Sequence, residues 1–373
     1  MSPLSHIPLV DLKAQHAEIA DEVAAGFERV FAATAFILGP AVTEFESAYA
    51  SLCGVRHCLG VGNGTDALEM MIRALGLGAG DEVIVPANTF IATALGVLRA
   101  GAKPVIADCD AFHLLDPAKV EEKITPRTRA LLPVHLFGQI ADMEALGEIA
   151  RARDLYLLED AAQSQGAKRN GKRFFGTCAG TSFYPGKNLG AYGDGGAVFT
   201  DDDQIADKLR RLRNWGSDKK YYHPEIGFNS RLDTLQAVVL AAKLKRLEGW
   251  NAARRQAAAR YDALLADLSG VEAPGVETPP TLPGNEHVWH LYVIRVPHRD
   301  DVLARLNAEG IGAGIHYPTP LHLHGALKDL GYKIGDFPVA EKAAGEILSL
   351  PMDPHITEAQ QERVVEVLRR AVA

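Results

Sequence analysis

Between residues 55 and 200, short apolar runs alternate with segments whose apolar positions return every three or four residues. The runs are Cys58–Val61, Glu82–Val85, Pro104–Ala107, Ala130–Val134, Leu155–Leu158 and Gly196–Thr200. Their length and their Gly, Pro or Asp borders predict buried strands. Between them, helical spacing predicts Asp66–Ala74 (Leu68, Met71, Ile72 and Leu75 on one face), Ile91–Arg99, Asp142–Ala150 behind an acidic cap, and Asp202–Asn214. Arg210, Arg211 and Arg213 on the last of these read as a solvated face. Such β–α alternation predicts an α/β fold, a mostly parallel sheet with helices on both faces. Residues 1–50 read as helices separated by the turn-rich Ala33–Pro40. A long helical pattern from about Leu235 to Leu268 is broken near Gly249-Trp250, and the Pro- and Gly-rich Gly270–Gly284 reads as a linker. Beyond it, strands over Trp289–Val296 and Gly314–Tyr317 flank a helix over Arg299–Glu309. The division predicted is a large domain over residues 1–250 and a small C-terminal α+β domain over 251–373.

At 373 residues and 47% apolar the chain can bury a large core. A net charge of −8 argues against nucleic acid as a partner. Four scattered cysteines (Cys53, Cys58, Cys109, Cys178) fit neither a disulfide framework nor a zinc ribbon. Neither a signal peptide nor an apolar run of about twenty residues is present, so membrane spanning and secretion are not supported and a cytoplasmic location is expected.

The candidate chemistry centres on Ser182-Phe183-Tyr184-Pro185-Gly186-Lys187-Asn188-Leu189-Gly190, followed by Gly193-Asp194-Gly195-Gly196. A lysine between glycines and a proline sits on a constrained turn, and lysine forms Schiff bases with carbonyl cofactors once its ammonium deprotonates. Taken alone, Lys187 reads as a solvated loop residue, the fate of most lysines. The apolar run that ends in Glu159-Asp160-Ala161-Ala162-Gln163 places Asp160 at the carboxyl end of a strand, where α/β sheets bind ligands. An aspartate paired with the pyridinium nitrogen is the partner of a pyridoxal phosphate (PLP) lysine; a helix cap is the plainer role for it. Gly62-Asn63-Gly64-Thr65 opens a helix and can cradle a phosphate. Gly60-x-Gly62-x-Gly64 also has part of a dinucleotide fingerprint, although Thr65 stands where its third glycine belongs. His135, at another strand end, reads as an active-site contact or a structural histidine. His316, His322 and His324 lack acidic or Cys partners at ligand spacing, so no metal is expected.

Gly64-Thr65-Asp66-Ala67-Leu68, Asp81-Glu82-Val83-Ile84-Val85-Pro86, Glu159–Gln163, the lysine stretch and Asn229-Ser230-Arg231-Leu232-Asp233 occur in the order and context of a known family. The chain resembles the DegT/StrS family of PLP-dependent sugar aminotransferases, of the aspartate aminotransferase-like fold (fold type I). The resemblance implies that Lys187 holds PLP and moves the proton, with Asp160 at the ring nitrogen. It implies Gly64, Thr65 and Ser182 at the phosphate, Phe90 stacked on the ring and Gln163 at the ring oxygen. Asn229 would reach the PLP phosphate of the other subunit in a homodimer, and Arg231 the substrate. Tyr317 and His322 would contact the nucleotide sugar. Where the family often has His, this chain has Gln165, which could alter the pocket.

Related deoxygenating enzymes replace the lysine by His, so Lys187 points to transamination, with L-glutamate as amino donor. The lysine flank and Gly193-Asp194-Gly195-Gly196 look like the members that aminate C3 of nucleotide-linked keto sugars. The expected reaction therefore converts a dTDP-3-keto-6-deoxyhexose to the 3-amino-3,6-dideoxyhexose. C4 amination of a 4-keto sugar is the alternative. A PLP-binding regulatory protein is a further one, for which an appended DNA-binding element or a lost lysine would be needed.

Overall fold

A computed structural model of the protein describes residues 6–268 and 275–372. A seven-stranded sheet runs in the spatial order His57–Val61, Gly196–Thr200, Cys178–Ser182, Tyr156–Asp160, Thr128–Leu131, Glu82–Pro86, Lys103–Ala107. Gly196–Thr200 is antiparallel to both its neighbours, and every other pairing is parallel. Glu82–Pro86 and Gly196–Thr200 are buried along their whole length, as expected of strands covered on both faces. Reversal at Gly196–Thr200 has a local cause: no helix intervenes after Cys178–Ser182, only the turn 183–195 that carries Lys187. The turn closes on itself through Phe183 N–H to the Gly195 carbonyl (2.8 Å) and Ala191 N–H to the Phe183 carbonyl (2.8 Å).

Most predicted elements form, with caps fixing their ends. The helix after the first strand spans Gly64–Ala74 and starts two residues before the predicted Asp66, because Asn63 accepts the Asp66 N–H at 2.8 Å. Asp142 caps Met143–Ala152, and Ile91–Arg99 forms as predicted.

Departures cluster toward the C-terminus. The long helix breaks at Lys245-Arg246, between Thr234–Leu244 and Leu247–Leu265. Both cations there reach Glu22. Gly249 continues the second helix because its neighbour Trp250 is buried and donates to Glu18 at 2.9 Å. Within Trp289–Val296 only Tyr292–Arg295 is a strand, pairing antiparallel with Ile347–Leu350. Residues 288 and 291 instead bond the Gly138 and Phe137 carbonyls through their N–H groups. Gly314–Tyr317 contributes one bridge, Gly314 to Ser349, rather than a strand. Arg213 is not solvated: it is buried and bonds Glu46 and the Gly60 carbonyl. Of the predicted linker, residues 270–274 lie outside the described residues.

The C-terminal layer packs Arg299–Ala308 and Glu358–Val372 around its two strands, with Tyr292, Leu306, Leu350 and Leu368 in its core. Ala257, Tyr261 and Leu265 of Leu247–Leu265 belong to that core, and so does Ile7 from the other end of the chain. Among the described residues no helix is long and apolar enough to cross a membrane, and no group of His, Cys, Asp or Glu is placed to hold a metal.

Candidate active site

The carboxyl end of Tyr156–Asp160, the lysine turn and the start of Gly64–Ala74 converge on a cavity of about 530 Å³. Eight of the predicted site residues line it: Lys187, Asp160, Gln163, Ser182, Gly64, Thr65, Phe90 and Tyr317. Leu9 and Val10 close it from the amino-terminal segment.

Burial lowers the Lys187 ammonium to about 8, with the Asp160 carboxylate pulling the other way. A lysine so depressed has a usable fraction of free amine near neutral pH, which removes the main objection to a lysine nucleophile. Burial also raises Asp160, opposed by hydrogen bonds from Thr93 and Ala162 and by the charges of Lys187 and His135. Thr93 Oγ1 donates to Asp160 Oδ2 at 2.8 Å, the Ala162 N–H to Oδ1 at 3.2 Å. Thr93 in turn meets Thr89 Oγ1 at 2.9 Å. A buried anion with remaining acceptor capacity suits a protonated ring nitrogen.

At the other end of the cavity the first N–H groups of Gly64–Ala74 lack intrahelical partners, and the helix dipole favours an anion there. A Cβ on Gly64 would stand 2.6 Å from Ser182 Cβ, so only glycine lets the helix start this close to the lysine turn. Ser182 Oγ accepts the Tyr184 N–H at 3.2 Å, which leaves its own hydrogen to donate. Thr65 adds a second hydroxyl to the lining. A donor-rich cradle, a depressed lysine and a buried carboxylate in one cavity fit a phosphorylated pyridine aldehyde.

Gln163 Oε1 accepts the Phe137 N–H at 2.7 Å, and its Nε2 donates to Tyr317 Oη at 3.1 Å. The Tyr317 and Phe90 rings lie 5.2 Å apart at 38°, forming an aromatic wall. Behind the lysine, buried Asn188 donates to Asn251 Oδ1 and the Val288 carbonyl, both at 2.9 Å, and meets His290 Nδ1 at 3.2 Å.

Three predicted residues are elsewhere. His322 is buried, pairs with Glu341 at 3.0 Å and stands edge-on to Phe337. The turn Leu321–Leu323 points it into the core beneath Pro338–Glu346, so it is a structural residue and not a substrate contact. Asn229 and Arg231 lie outside the cavity of their own chain. Arg231 bonds Asn229 at 2.6 Å and Asn214 at 3.1 Å and lies 4.2 Å over the Trp215 ring. His135 takes its structural role, buried against Glu159 at 2.7 Å. Gln165 lies behind the cavity wall, donating to Ala162 O, Thr181 Oγ1 and Ser182 O. Thr93, Asn188 and His290 were missed by the sequence reading. Asn188 adjoins the lysine, which is a usable signal; the other two carry none.

The model of the DegT/DnrJ/EryC1/StrS aminotransferase family matches residues 17–369. The chain is 47% identical over 364 residues to a pleiotropic regulatory protein of Geobacillus stearothermophilus, covering 97% of each. It is 46% identical over 366 residues to a dTDP-3-amino-3,4,6-trideoxy-alpha-D-glucose transaminase of Streptomyces venezuelae, covering 97% of this chain and 95% of that one. The crystal structure of S. venezuelae DesV in complex with a ketimine intermediate matches with a TM-score of 0.94 at 46% identity, covering 98% of both chains.

Proposed function

Because the chain belongs to the DegT/DnrJ/EryC1/StrS aminotransferase family, whose members are PLP-dependent, we propose that it aminates C3 of a nucleotide-linked keto sugar. The substrate proposed is a dTDP-3-keto-6-deoxyhexose and the amino donor L-glutamate. One observation carries the catalytic part: Lys187, Asp160 and the open start of Gly64–Ala74 face a single cavity. PLP, when bound, supplies an electron sink for the carbon that bears the amino group.

The chain's own residues supply the rest. Lys187 Nζ would hold the cofactor through its aldehyde carbon and, when free, would move a proton as general base and acid. Asp160 keeps the ring nitrogen protonated. Gly64, Thr65 and Ser182 hold the phosphate, Gln163 orients the ring oxygen, and Phe90 covers a ring face. Tyr317, with a hydroxyl hydrogen free to donate, faces the sugar.

The Gly193-Asp194-Gly195-Gly196 flank and the 3-amino product named for the Streptomyces venezuelae relative support C3. A homodimer with shared sites is part of the proposal, with Asn229 and Arg231 serving the neighbouring subunit's phosphate and substrate. Exposure of Trp215, Tyr221 and Ile226 around that loop supports a covered surface.

To test the substrate, the pyridoxamine form is mixed separately with dTDP-linked 3-keto and 4-keto 6-deoxy sugars and a UDP-linked 3-keto sugar. Return of the visible cofactor band with the dTDP 3-keto sugar alone is the expected result. Return with only the 4-keto sugar would move the enzyme to C4 chemistry, and return with only the UDP sugar would change the nucleotide.

A further inference from the structure

His290 lines the cavity beside the lysine turn, yet no role has been given to it above. It is 8% exposed, and its ring orientation follows from its neighbours. Asn251 Nδ2 donates to the Gln165 carbonyl at 2.9 Å, so Asn251 Oδ1 faces Asn188. The Val288 carbonyl, which can only accept, takes a second hydrogen from Asn188 Nδ2. Both amide hydrogens of Asn188 are thus committed, and its Oδ1 must be the atom facing His290 Nδ1 at 3.2 Å. Nδ1 therefore carries the ring proton. On a neutral ring Nε2 is left with a lone pair, and it bonds no described residue.

The ring is held neutral. Burial pushes its protonation well below the usual range, and Lys187, Arg254, His316 and His287 all act in the same direction. The ring is buried, but Nε2 is not sealed off and lines the cavity, where a bound donor can reach it in place of water. We propose that His290 is a ligand-contacting residue of this cavity, its Nε2 accepting a hydrogen bond from a hydroxyl or amino group of the bound reactant. This rests on the cavity being the aminotransferase site. Selectivity follows: a lone pair at this point accepts an O–H or N–H and repels a carboxylate oxygen.

Either reactant could supply that donor, so two probes that cannot be turned over separate them. Calorimetry on the PLP-loaded protein would measure binding of α-methyl-L-glutamate and of a dTDP-6-deoxyhexose with a hydroxyl in place of the ketone. His290→Phe keeps a planar ring and removes the acceptor; His290→Gln restores both an N–H for Asn188 and an acceptor oxygen. His290→Phe is expected to weaken one or both probes about tenfold or more, with His290→Gln within about threefold of the parent. The probe affected identifies the donor. Unchanged affinity of His290→Phe for both probes would overturn the proposal. So would equal losses in both variants with a shifted cofactor band, which would make the ring structural. If the parent protein bound neither probe while retaining its cofactor band, the functional reading would fall, and this inference with it.

Discussion

At the scale of single residues, the site combines two groups that burial drives toward neutrality, and each makes a prediction. Lys187 has a native value of about 8 against an ordinary 10.5. Below pH 8 both states bind the proton and the native state bears the full cost of burying the ammonium; between pH 8 and 10.5 the unfolded chain binds more protons here than the native one, so stability rises with pH. That cost fades as pH rises from 8 to 10.5. A cofactor-free Lys187→Met protein should accordingly be more stable than its parent near pH 7, by up to about 3 kcal/mol, with the gap closing toward pH 10.5. Denaturant unfolding at several pH values measures this, and a pH-independent difference would contradict it. The same variant should lose the visible cofactor band and all turnover. Thr93 offers a quieter test. Thr93→Val keeps the shape but removes the hydrogen bond to Asp160, and should lower stability by about 1–2 kcal/mol. If Asp160 serves the ring nitrogen, turnover should fall while cofactor is retained; unchanged turnover would detach Thr93 from the chemistry. Lys187 and Asp160 were legible because each sits at a break in a pattern, a lysine in a Gly-Pro turn and a carboxylate ending an apolar run. Thr93 was not, since a threonine inside a regular helix repeat looks like any other buried position.

Elements show the same contrast between local and distant causes. Most strands and helices between residues 57 and 200 were readable because their apolar periods and caps are local, but Cys178–Ser182, built of small residues, and the short Pro117–Glu121 were not. The helix break was misplaced because glycine is a weak breaker when the next residue is anchored, as Trp250 is by Glu18. Gly249 is exposed, and an added Cβ there meets nothing within 4 Å. Gly249→Ala should therefore raise stability by about 0.5–1 kcal/mol in thermal or denaturant unfolding. At Gly64 the identical substitution should do the reverse, because its Cβ would meet Ser182 across the mouth of the phosphate cradle. Gly64→Ala is expected to weaken PLP binding about tenfold or more, on the scale of one lost strong hydrogen bond. Spectral titration of the cofactor-free protein reads this directly, and parental affinity would move the phosphate elsewhere. Two glycines of one sequence thus take opposite signs, decided by what lies across from them.

For the whole molecule, the least legible feature is which chain a residue serves. Asn229 and Arg231 bond each other and Asn214 rather than facing the cavity below them. His322 was misread for the related reason that a histidine in a loop gives no sign of whether it turns outward or, as here, into the core against Glu341. The proposed sharing of sites between two chains makes a prediction that no single-chain site can share. Lys187→Ala and Arg231→Ala proteins, each inactive alone, are unfolded together, mixed in equal amounts and refolded. With random two-fold pairing, half the dimers are mixed, and in each of those one site carries both lesions and the other carries none. Activity should return to about one quarter of the parental value. Were Arg231 to serve its own chain's cavity, every site in every dimer would carry one lesion and the mixture would stay inactive. Refolded parental protein, carried through the same steps, sets the scale, so poor recovery of dimers cannot pass for the second outcome.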